Sequence, residues 1–154
     1  MQQRCLKNIT HKCFDGKFVV LKYQISMSKQ IVQTEKAPAP IGPYSQAVKA
    51  GGFLFISGQV AINPQTNELV TGSIAEETRQ VLANIDAILK EANLTFQHVV
   101  KTSIFLSDMG LFSEVNEIYA GYFDGDFPAR ETVAVKTLPK SVNVEISITA
   151  VIQL

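Results

Sequence analysis

The sequence predicts a compact α+β domain of about six strands and two helices. Two segments repeat apolar residues with the 3.6-residue spacing of amphipathic helices, and several short segments have the composition or the two-residue alternation of strands. Their order along the chain is ββ(β)αβαββ. Two helices of this length can cover only one face of a six-stranded sheet, so the second face must contact water or another subunit.

Composition excludes several classes of protein. Of the 154 residues, 46% are apolar and 18% are charged, as in globular proteins, and no apolar run approaches the roughly 18 residues of a membrane span. Residues 1–26 hold five basic residues and one acidic residue (net +4), which leaves nine basic and 13 acidic residues (net −4) in residues 27–154. An acidic domain is a poor ligand for phosphate backbones, so neither nucleic acid nor a membrane is an expected partner.

Residues 1–26 are predicted to be an appendage to a domain that spans residues 27–154. They differ from the rest in charge and pattern, and residues 18–21 could form a short strand without an obvious partner. Residues 27–29 are typical of a fresh start. Residues 1–26 are therefore interpreted as the result of a misplaced start codon, as residues added in cloning or as a disordered extension, rather than as a functional segment. No secretory signal is recognisable, so a cytoplasmic location is expected, with a mitochondrial one left open.

The scarcity of cysteine and histidine shortens the list of possible chemistries. Cys5 and Cys13 both lie in the appendage, and His98 is the one histidine of residues 27–154. A disulfide framework, a thiolate metal site and a multi-histidine metal site are therefore excluded from the domain, and a Ser-His-Asp triad is only weakly supported.

The elements before the first helix are a short strand, a rigid loop and a hairpin. Residues 31–33 are predicted as a strand, and the proline-rich residues 37–43 as a loop that cannot be helical. Residues 46–49 and 53–60 flank Gly51-Gly52, which is the pattern of a β-hairpin.

The first helix is predicted to begin with a capping box, in which the Ser73 hydroxyl accepts from the Glu76 amide and the Glu76 side chain reaches back. The apolar residues behind it predict a helix to about residue 92: Ile74, Thr78, Val81, Leu82, Ile85, Ile88 and Leu89. The residues predicted on its solvated outer face are Glu77, Arg79, Asp86 and Lys90.

The second half of the chain contains a strand, a helix and two more strands. Residues 99–106 are predicted as a buried strand, and Asp108 as the N-cap of the second helix. The apolar face of that helix comprises Leu111, Phe112, Val115, Ile118, Tyr119 and Phe123. Residues 132–135 and 143–152 are predicted strands on either side of residues 138–140.

The last strand alternates between apolar and polar side chains. One side has Val142, Val144, Ile146, Ile148 and Ala150, and the other has Asn143, Glu145, Ser147 and Thr149. The apolar side should receive the helices. The polar side, a carboxylate among short polar groups, fits a solvated sheet face or a lined cleft, and the pattern alone favours the solvated face.

Arg130 is the most informative single residue. Residues 27–154 hold only two arginines, and Arg79 belongs to the outer face of the first helix. Arg130 lies where a proline-containing loop meets a β-branched strand, and its planar guanidinium can bind a small carboxylate through two parallel hydrogen bonds, which a lysine could not. Taken alone, a solvated arginine at a strand start is the commoner case.

Three motifs decide the interpretation of Arg130. They are GPYSQA at residues 42–47, FISGQ at residues 55–59 and FPAR at residues 127–130, with VEI at residues 144–146 downstream. On these motifs, in this order, residues 27–154 resemble the RidA family, also called YjgF/YER057c/UK114, of reactive enamine/imine deaminases.

The resemblance implies a chorismate-mutase-like fold and a homotrimer, in which the sheets of three subunits pack into a central barrel with a cleft at each subunit interface. It implies hydrolysis of 2-aminoacrylate, 2-aminocrotonate and their imine tautomers to 2-ketoacids and ammonia, as a 2-iminobutanoate/2-iminopropanoate deaminase does. No metal or organic cofactor is expected.

The resemblance also implies the site residues. Arg130 would bind the substrate carboxylate, while Glu145 would position or deprotonate the attacking water and return a proton to the departing ammonia. Tyr44 would supply a wall or a hydrogen bond from the neighbouring subunit. Ser57 and Gly58, at a strand end, could meet an anion with a hydroxyl or a backbone N–H.

Three further residues would affect how Arg130 acts and which mechanism is possible. Asn116 matches the family's helix asparagine and is interpreted as a tether for another side chain rather than a ligand. Thr132 stands where many family members have a cysteine, so the mechanism is placed with water that its hydroxyl or carbonyl would orient. Glu131 should point away from Arg130 on a strand, because an inward carboxylate would compete for the guanidinium.

Three rival functions remain open at this stage. The first is a non-catalytic module in which the same trimeric cleft binds 2-ketoacids and regulates a partner. The second is a ribonuclease or translation inhibitor, which the net charge of −4 and the missing histidine pair disfavour. The third, a chaperone, would need exposed apolar surface.

Overall fold

The computed structural model describes residues 9–12, 18–21 and 29–152. In the first two of these segments, strands β1 (Ile9–Lys12) and β2 (Phe18–Leu21) pair antiparallel, with Ile9 opposite Leu21. The expectation that residues 18–21 lack a partner is therefore wrong, because the β-branched segment just before them supplies one. The rest of the predicted appendage lies outside the described residues, and its separation from the domain stays a prediction.

The centre of the domain is a mixed six-stranded sheet, as the sequence predicted. Its strands are β3 (Gln30–Val32), β4 (Ala47–Ala50), β5 (Phe53–Gln59), β6 (Val99–Leu106), β7 (Ala129–Ala134) and β8 (Val144–Val151). They are arranged in the order β3-β4-β5-β8-β6-β7. All neighbours are antiparallel except β6 and β7, which run parallel across a connection that contains the second helix.

Two helices follow the predicted capping signals with one adjustment. Helix α1 (Ile74–Glu91) begins at Ser73, whose hydroxyl accepts a hydrogen bond from the Glu76 amide at 3.2 Å. Asp108 accepts from the Gly110 amide at 2.6 Å and caps a 3₁₀ turn, Met109–Leu111, which leads into helix α2 (Phe112–Ala120). The predicted N-cap therefore acts one turn before α2 begins. Among the described residues, no helix combines the length and apolar character needed to cross a membrane.

Both helices pack on one face of the sheet and form the core with it. The largest apolar side chains that are fully buried are Leu54, Val81, Leu82, Ile85, Ile88, Leu89, Ile104, Leu106, Val115, Val144 and Ile146. Each such side chain contributes about 1.5–3 kcal/mol of transfer free energy. The core therefore fixes which face of β5, β6 and β8 meets the helices, and the two-residue alternation fixes what the other face carries.

Glu77 and Asn143 depart from their predicted faces. Glu77 is only 4% exposed, and its carboxylate accepts from the Asn143 backbone N–H at 3.0 Å and from Asn143 Nδ2 at 2.7 Å. Position 77 lies three residues after Ile74 and four before Val81, so it belongs to the buried stripe of α1. Its charge suggested an outward position, but a buried carboxylate is stable where donors satisfy it.

The second face of the sheet, called the open face here, carries exposed apolar side chains. Ile31, Phe53, Phe55, Val133 and Val151 are each 37–46% exposed there. Register places Ile31, Val48 and Phe55 side by side across three strands. A contiguous apolar patch of this kind is typical of a surface that contacts another protein chain. The uncovered face that the sequence predicted is therefore present.

Candidate functional site

Arg130 lies on edge strand β7, on the side of the sheet that α2 covers. It is paired in register with Thr102 of β6, whose buried hydroxyl accepts a hydrogen bond from Tyr119 of α2 at 3.0 Å. Paired residues on neighbouring strands point to the same side. The strand begins at Ala129 and not at residue 132 as predicted, because its pairing with β6 already starts opposite Lys101.

Helix α2 holds the Arg130 guanidinium through three residues spaced one turn apart. Arg130 Nη1 donates a hydrogen bond to Asn116 Oδ1 at 2.8 Å. The guanidinium carbon also lies 5.6 Å from the centre of the Phe112 ring and 5.1 Å from that of Tyr119. Positions 112, 116 and 119 share one stripe of a helix. Asn116 thus contacts Arg130 in the way expected of a tether, and Arg130 itself remains exposed.

Thr132 lies on the same side of β7, two residues after Arg130. Its Oγ1 atom is buried, and within the described residues it is the one buried side-chain oxygen or nitrogen without a hydrogen-bond partner. Buried hydroxyls in native proteins are nearly always paired with protein or water. The unpaired hydroxyl beside Arg130 therefore has the capacity to bind one further polar group.

Glu131 points to the open face, away from the Arg130 guanidinium, as expected from strand alternation. Its carboxylate forms an ion pair with Lys101 and accepts a hydrogen bond from the Ser103 hydroxyl. The hydrogen bonds from Lys101 and then Ser103 lower the pKa of Glu131. Arg130 and Glu131 are thus engaged on opposite sides of the same strand.

Glu145 lies on the open face over Gly58, so the two predicted site residues are in close contact. A Cβ atom built on Gly58 would be 1.9 Å from Glu145 Oε1. Gly58 also lies at an irregularity in the pairing of β5 with β8. Glycine at position 58 therefore makes the space that the carboxylate occupies. Burial raises the pKa of Glu145, because desolvation disfavours its charged form.

Ser57 and Tyr44 belong to the same region of the chain as Gly58. The Ser57 hydroxyl donates to the Ser45 carbonyl at 2.7 Å, and the Ser57 amide donates to the Gln46 carbonyl at 3.0 Å. Next to them, Tyr44 is 49% exposed, and its hydroxyl accepts from the Ile41 amide at 3.4 Å. The Ser57 hydroxyl is therefore already engaged in holding the Tyr44 loop against β5.

Gln46, which sequence reasoning missed as a site-supporting residue, organises the proline-rich loop. Its side chain is buried, accepts from the Thr34 amide at 2.7 Å, and donates to the carbonyls of Thr34, Ala37 and Pro38 at 2.8–3.1 Å. Prolines supply carbonyls without amides, so a loop of this composition needs donors from elsewhere. That need, together with a glutamine next to the loop, was the available signal.

The predicted site residues therefore form two groups, one around Arg130 on the helix side of the sheet and one around Glu145 on the open face. The first group is Arg130, Asn116 and Thr132; the second is Glu145, the adjacent Gly58, and Ser57 with the Tyr44 loop that it holds. Register aligns Arg130 with Thr102 but Glu145 with Phe105, three residues further along β6, which reverses the side. β7 and β8 are two strand spacings apart, about 10 Å. The sheet itself therefore separates the Glu145 carboxylate from the Arg130 guanidinium of the same chain.

The described residues offer no metal centre. They contain no group of three or more histidine, cysteine, aspartate or glutamate side chains placed to bind one ion together. What they do offer is a fixed guanidinium with an unpaired hydroxyl on one face and a partly desolvated carboxylate on the other. These groups suit the binding of a small carboxylate and the transfer of protons.

Known proteins of several organisms are similar to this chain in sequence and in fold. The sequence profile of the family described as Endoribonuclease L-PSP matches residues 34–152. A RutC family protein of Pyrococcus horikoshii is 53% identical over 118 residues, covering 77% of this chain and 94% of that protein. The 2-iminobutanoate/2-iminopropanoate deaminase of Mus musculus is 48% identical over 126 residues, covering 82% and 93%.

The solved structures agree with the sequence relatives. The crystal structure of E. coli TdcF with bound serine has a TM-score of 0.77 and 37% identity, and covers 80% of this chain and 99% of that one. A mixed six-stranded sheet with two helices on one face is therefore the L-PSP/YjgF fold. The chain belongs to the RidA (YjgF/YER057c/UK114) family.

Proposed function

We propose that this protein hydrolyses reactive enamines and imines, chiefly 2-aminoacrylate and 2-aminocrotonate, to 2-ketoacids and ammonia. The observation that carries the proposal is the Arg130 guanidinium, which Asn116 and two aromatic rings hold in one orientation while it stays exposed. A preorganised guanidinium binds a carboxylate through charge-assisted hydrogen bonds. The relatives of Mus musculus and Bos taurus, each 48% identical to this chain, carry the name of this deaminase.

The complete site needs two chains. We place Arg130, Asn116 and Thr132 from one subunit opposite Glu145, Gly58, Ser57 and Tyr44 from its neighbour, because one chain separates these groups by its own sheet. A homotrimer in which a neighbour covers each open face, with the neighbour's edge strand β7 at Glu145, would bury the exposed Phe53, Phe55 and Val151 side chains. Symmetric assembly then supplies the same shared site at each interface.

The reaction needs orientation and proton transfer rather than a cofactor. An enamine takes a proton at its terminal carbon, gives up one from nitrogen and becomes the imine. Water then adds across the carbon–nitrogen double bond to give a carbinolamine, and the hydroxyl proton of that intermediate passes to nitrogen as the carbon–nitrogen bond breaks, which releases ammonia and leaves the 2-ketoacid. Glu145 would accept the water proton and return it to nitrogen, and its raised pKa favours this exchange. The unpaired Thr132 hydroxyl would hold the water or a substrate oxygen.

A binding module is the second candidate function. The TdcF structure holds serine, which is an amino acid and not an imine, so a fold of this kind can hold a small carboxylate as a ligand. In this function Arg130 would bind 2-ketoacids and Glu145 would take no part in a reaction. The name ribonuclease is supported less, because residues 27–154 have a net charge of −4, and Lys90 and Lys101 are paired with acids.

The test is the release of ketoacid and ammonia when the purified protein is added to a serine or threonine dehydratase reaction. Wild type should accelerate release, and Arg130→Ala should lower the rate by about one to two orders of magnitude, as expected for losing a charged hydrogen bond of about 1.5–3 kcal/mol. Arg79→Ala, on the outer face of α1, is the matched control and should behave as wild type.

Each outcome of this test decides between the two functions. Acceleration by wild type and by Arg79→Ala, but not by Arg130→Ala, supports the deaminase and its guanidinium together. Equal acceleration by Arg130→Ala contradicts the carboxylate contact. A folded wild-type protein that accelerates nothing but binds 2-ketobutyrate in a calorimetric titration supports the binding module instead.

A further inference from the structure

We propose that Phe112 and Tyr119 form an aromatic seat that fixes the plane of the Arg130 guanidinium, and that Thr102 fixes the seat by binding the Tyr119 hydroxyl. Tyr119 and Thr102 are then positioning residues for carboxylate binding, although neither needs to touch the substrate. The proposal rests on the proposed function in one respect, namely that Arg130 is the group that binds the carboxylate.

The hydrogen bond and the rings restrict different motions of the guanidinium. The bond from Arg130 Nη1 to Asn116 Oδ1 fixes one corner of the group but permits rotation about that bond. The ring centres of Phe112 and Tyr119, at 5.6 and 5.1 Å, are within the range of cation–π attraction and oppose that rotation. Together the three contacts define both the position and the plane of the donors. Two-point recognition of a carboxylate requires this, because both of its oxygens must meet N–H groups in one plane.

The Tyr119 ring is itself fixed from two sides. It is only 2% exposed and packs against the Phe123 ring at 4.8 Å. Its hydroxyl donates to Thr102 Oγ1 at 3.0 Å, and Thr102 is fully buried. Burial raises the pKa of Tyr119, so the hydroxyl stays protonated and remains a donor at neutral pH. Since Thr102 is the register partner of Arg130 on the neighbouring strand, the residue that orients the ring lies beside the arginine that the ring supports.

The chain offers variants that separate the ring from its hydroxyl. Tyr119→Leu removes the ring and the hydrogen bond, Tyr119→Phe removes only the hydrogen bond, and Thr102→Val removes the acceptor with little change in shape. Tyr122→Leu is the matched control, because Tyr122 belongs to the same aromatic cluster, with its ring 4.9 Å from Phe96, and forms no cation–π pair with Arg130 among the described residues.

The experiment measures the Kd of 2-ketobutyrate by calorimetry, and kcat and KM for imine hydrolysis, in wild type and the four variants. Tyr119→Leu should raise Kd and KM about tenfold, while kcat changes much less, since a cation–π contact acts on binding. Tyr119→Phe and Thr102→Val should each raise Kd by about two- to threefold, the size expected for loss of an orienting hydrogen bond. Tyr122→Leu should match wild type.

Different experimental results would contradict this inference and the proposed function. Wild-type protein that neither binds 2-ketobutyrate nor hydrolyses imines contradicts the proposed function. Active wild type with unchanged Kd in Tyr119→Leu overturns the aromatic seat. If Tyr119→Leu does not fold, the other two variants decide, and an unchanged Kd in both Tyr119→Phe and Thr102→Val overturns the role of the Tyr119–Thr102 pair. A fall in kcat at constant KM in all variants would also contradict a positioning role in binding.

Discussion

The two faces of the sheet differ in what covers them and in which charged group they carry. On the helix side, buried apolar residues leave room for one guanidinium at the edge, held by a helix that is already packed in the core. The open face carries exposed apolar residues and the Glu145 carboxylate, which occupies space that a side chain at position 58 would fill. The helix side is covered by residues of the same chain. The open face leaves apolar side chains exposed, as is typical of a surface that contacts another chain.

This difference explains why a catalytic site in this fold would be shared. The positive group is fixed by the protomer's own core, so its geometry does not depend on assembly. The carboxylate lies on a surface whose desolvation increases when a neighbour binds, and further desolvation would raise its pKa further. Assembly would therefore bring Arg130 of one chain to Glu145 of another and raise the pKa of Glu145 at the same time.

The largest expected effect comes from a charge on the open face. Phe55 is 46% exposed there and lies in register with Thr149 of β8. Phe55→Glu should prevent assembly and reduce imine hydrolysis to the level without protein, because burying an unpaired carboxylate costs several kcal/mol. Light scattering and the dehydratase-coupled assay measure both effects. Ala83→Glu, an exposed position on α1, is the control and should retain assembly and rate. A fully active, unassembled Phe55→Glu protein would contradict the shared site.

Removing the charge of Glu145 should act on turnover more than on binding. Glu145→Gln keeps the size of the side chain but cannot accept the water proton, so kcat should fall by about 100-fold, the low end for general acid–base catalysis. The Kd of 2-ketobutyrate should change less than about threefold, because the carboxylate of the ligand is bound by Arg130. Kinetics and calorimetry on the same sample test this. A large loss of affinity with unchanged kcat would make the assigned role wrong.

A smaller and more specific effect is expected from glycine 58. Gly58→Ala places a methyl group where Glu145 Oε1 lies, at 1.9 Å, and the flexible end of the glutamate can move away. Turnover should therefore fall about tenfold while the free energy of unfolding changes by less than about 1 kcal/mol. Gly72→Ala is a matched control, because its methyl group would displace the Glu76 carboxylate at 2.1 Å, which accepts from the Ser73 hydroxyl at the start of α1 and belongs to neither group of site residues. Equal loss of turnover in both variants would argue for a general effect on stability.

Local signals predicted most of the fold. Ser73 and Glu76 located the start of α1, and Gly51-Gly52, with φ of +58° and +84°, located the first hairpin of the sheet. The order of strands in the sheet could not be obtained this way, because pairing between β5, β8 and β6 joins residues far apart in sequence. Glu77 was placed wrongly because its charge outweighed its position on the helix.

The sequence selected candidate site residues but did not predict how they are arranged. The motifs selected Arg130, Glu145, Gly58 and Asn116, and the structure puts Asn116 on Arg130 and Glu145 on Gly58. The alternation of the last strand placed Glu145 on the face away from the helices, but the side that Arg130 faces follows only from the register of β7 against β6. A shift of one residue in that pairing would have put Arg130 on the same side as Glu145, and β7 has no alternation of buried and exposed residues that fixes it.

The most direct test of the shared site is complementation between two inactive variants. Arg130→Ala and Glu145→Gln chains are co-expressed with different affinity tags, and assemblies that contain both are purified in two steps. In a mixed trimer, one of the three interfaces joins an intact Arg130 to an intact Glu145, so about a third of wild-type activity should return. Each variant purified alone is the control. Mixed assemblies no more active than the two variants alone would contradict a site built from two chains.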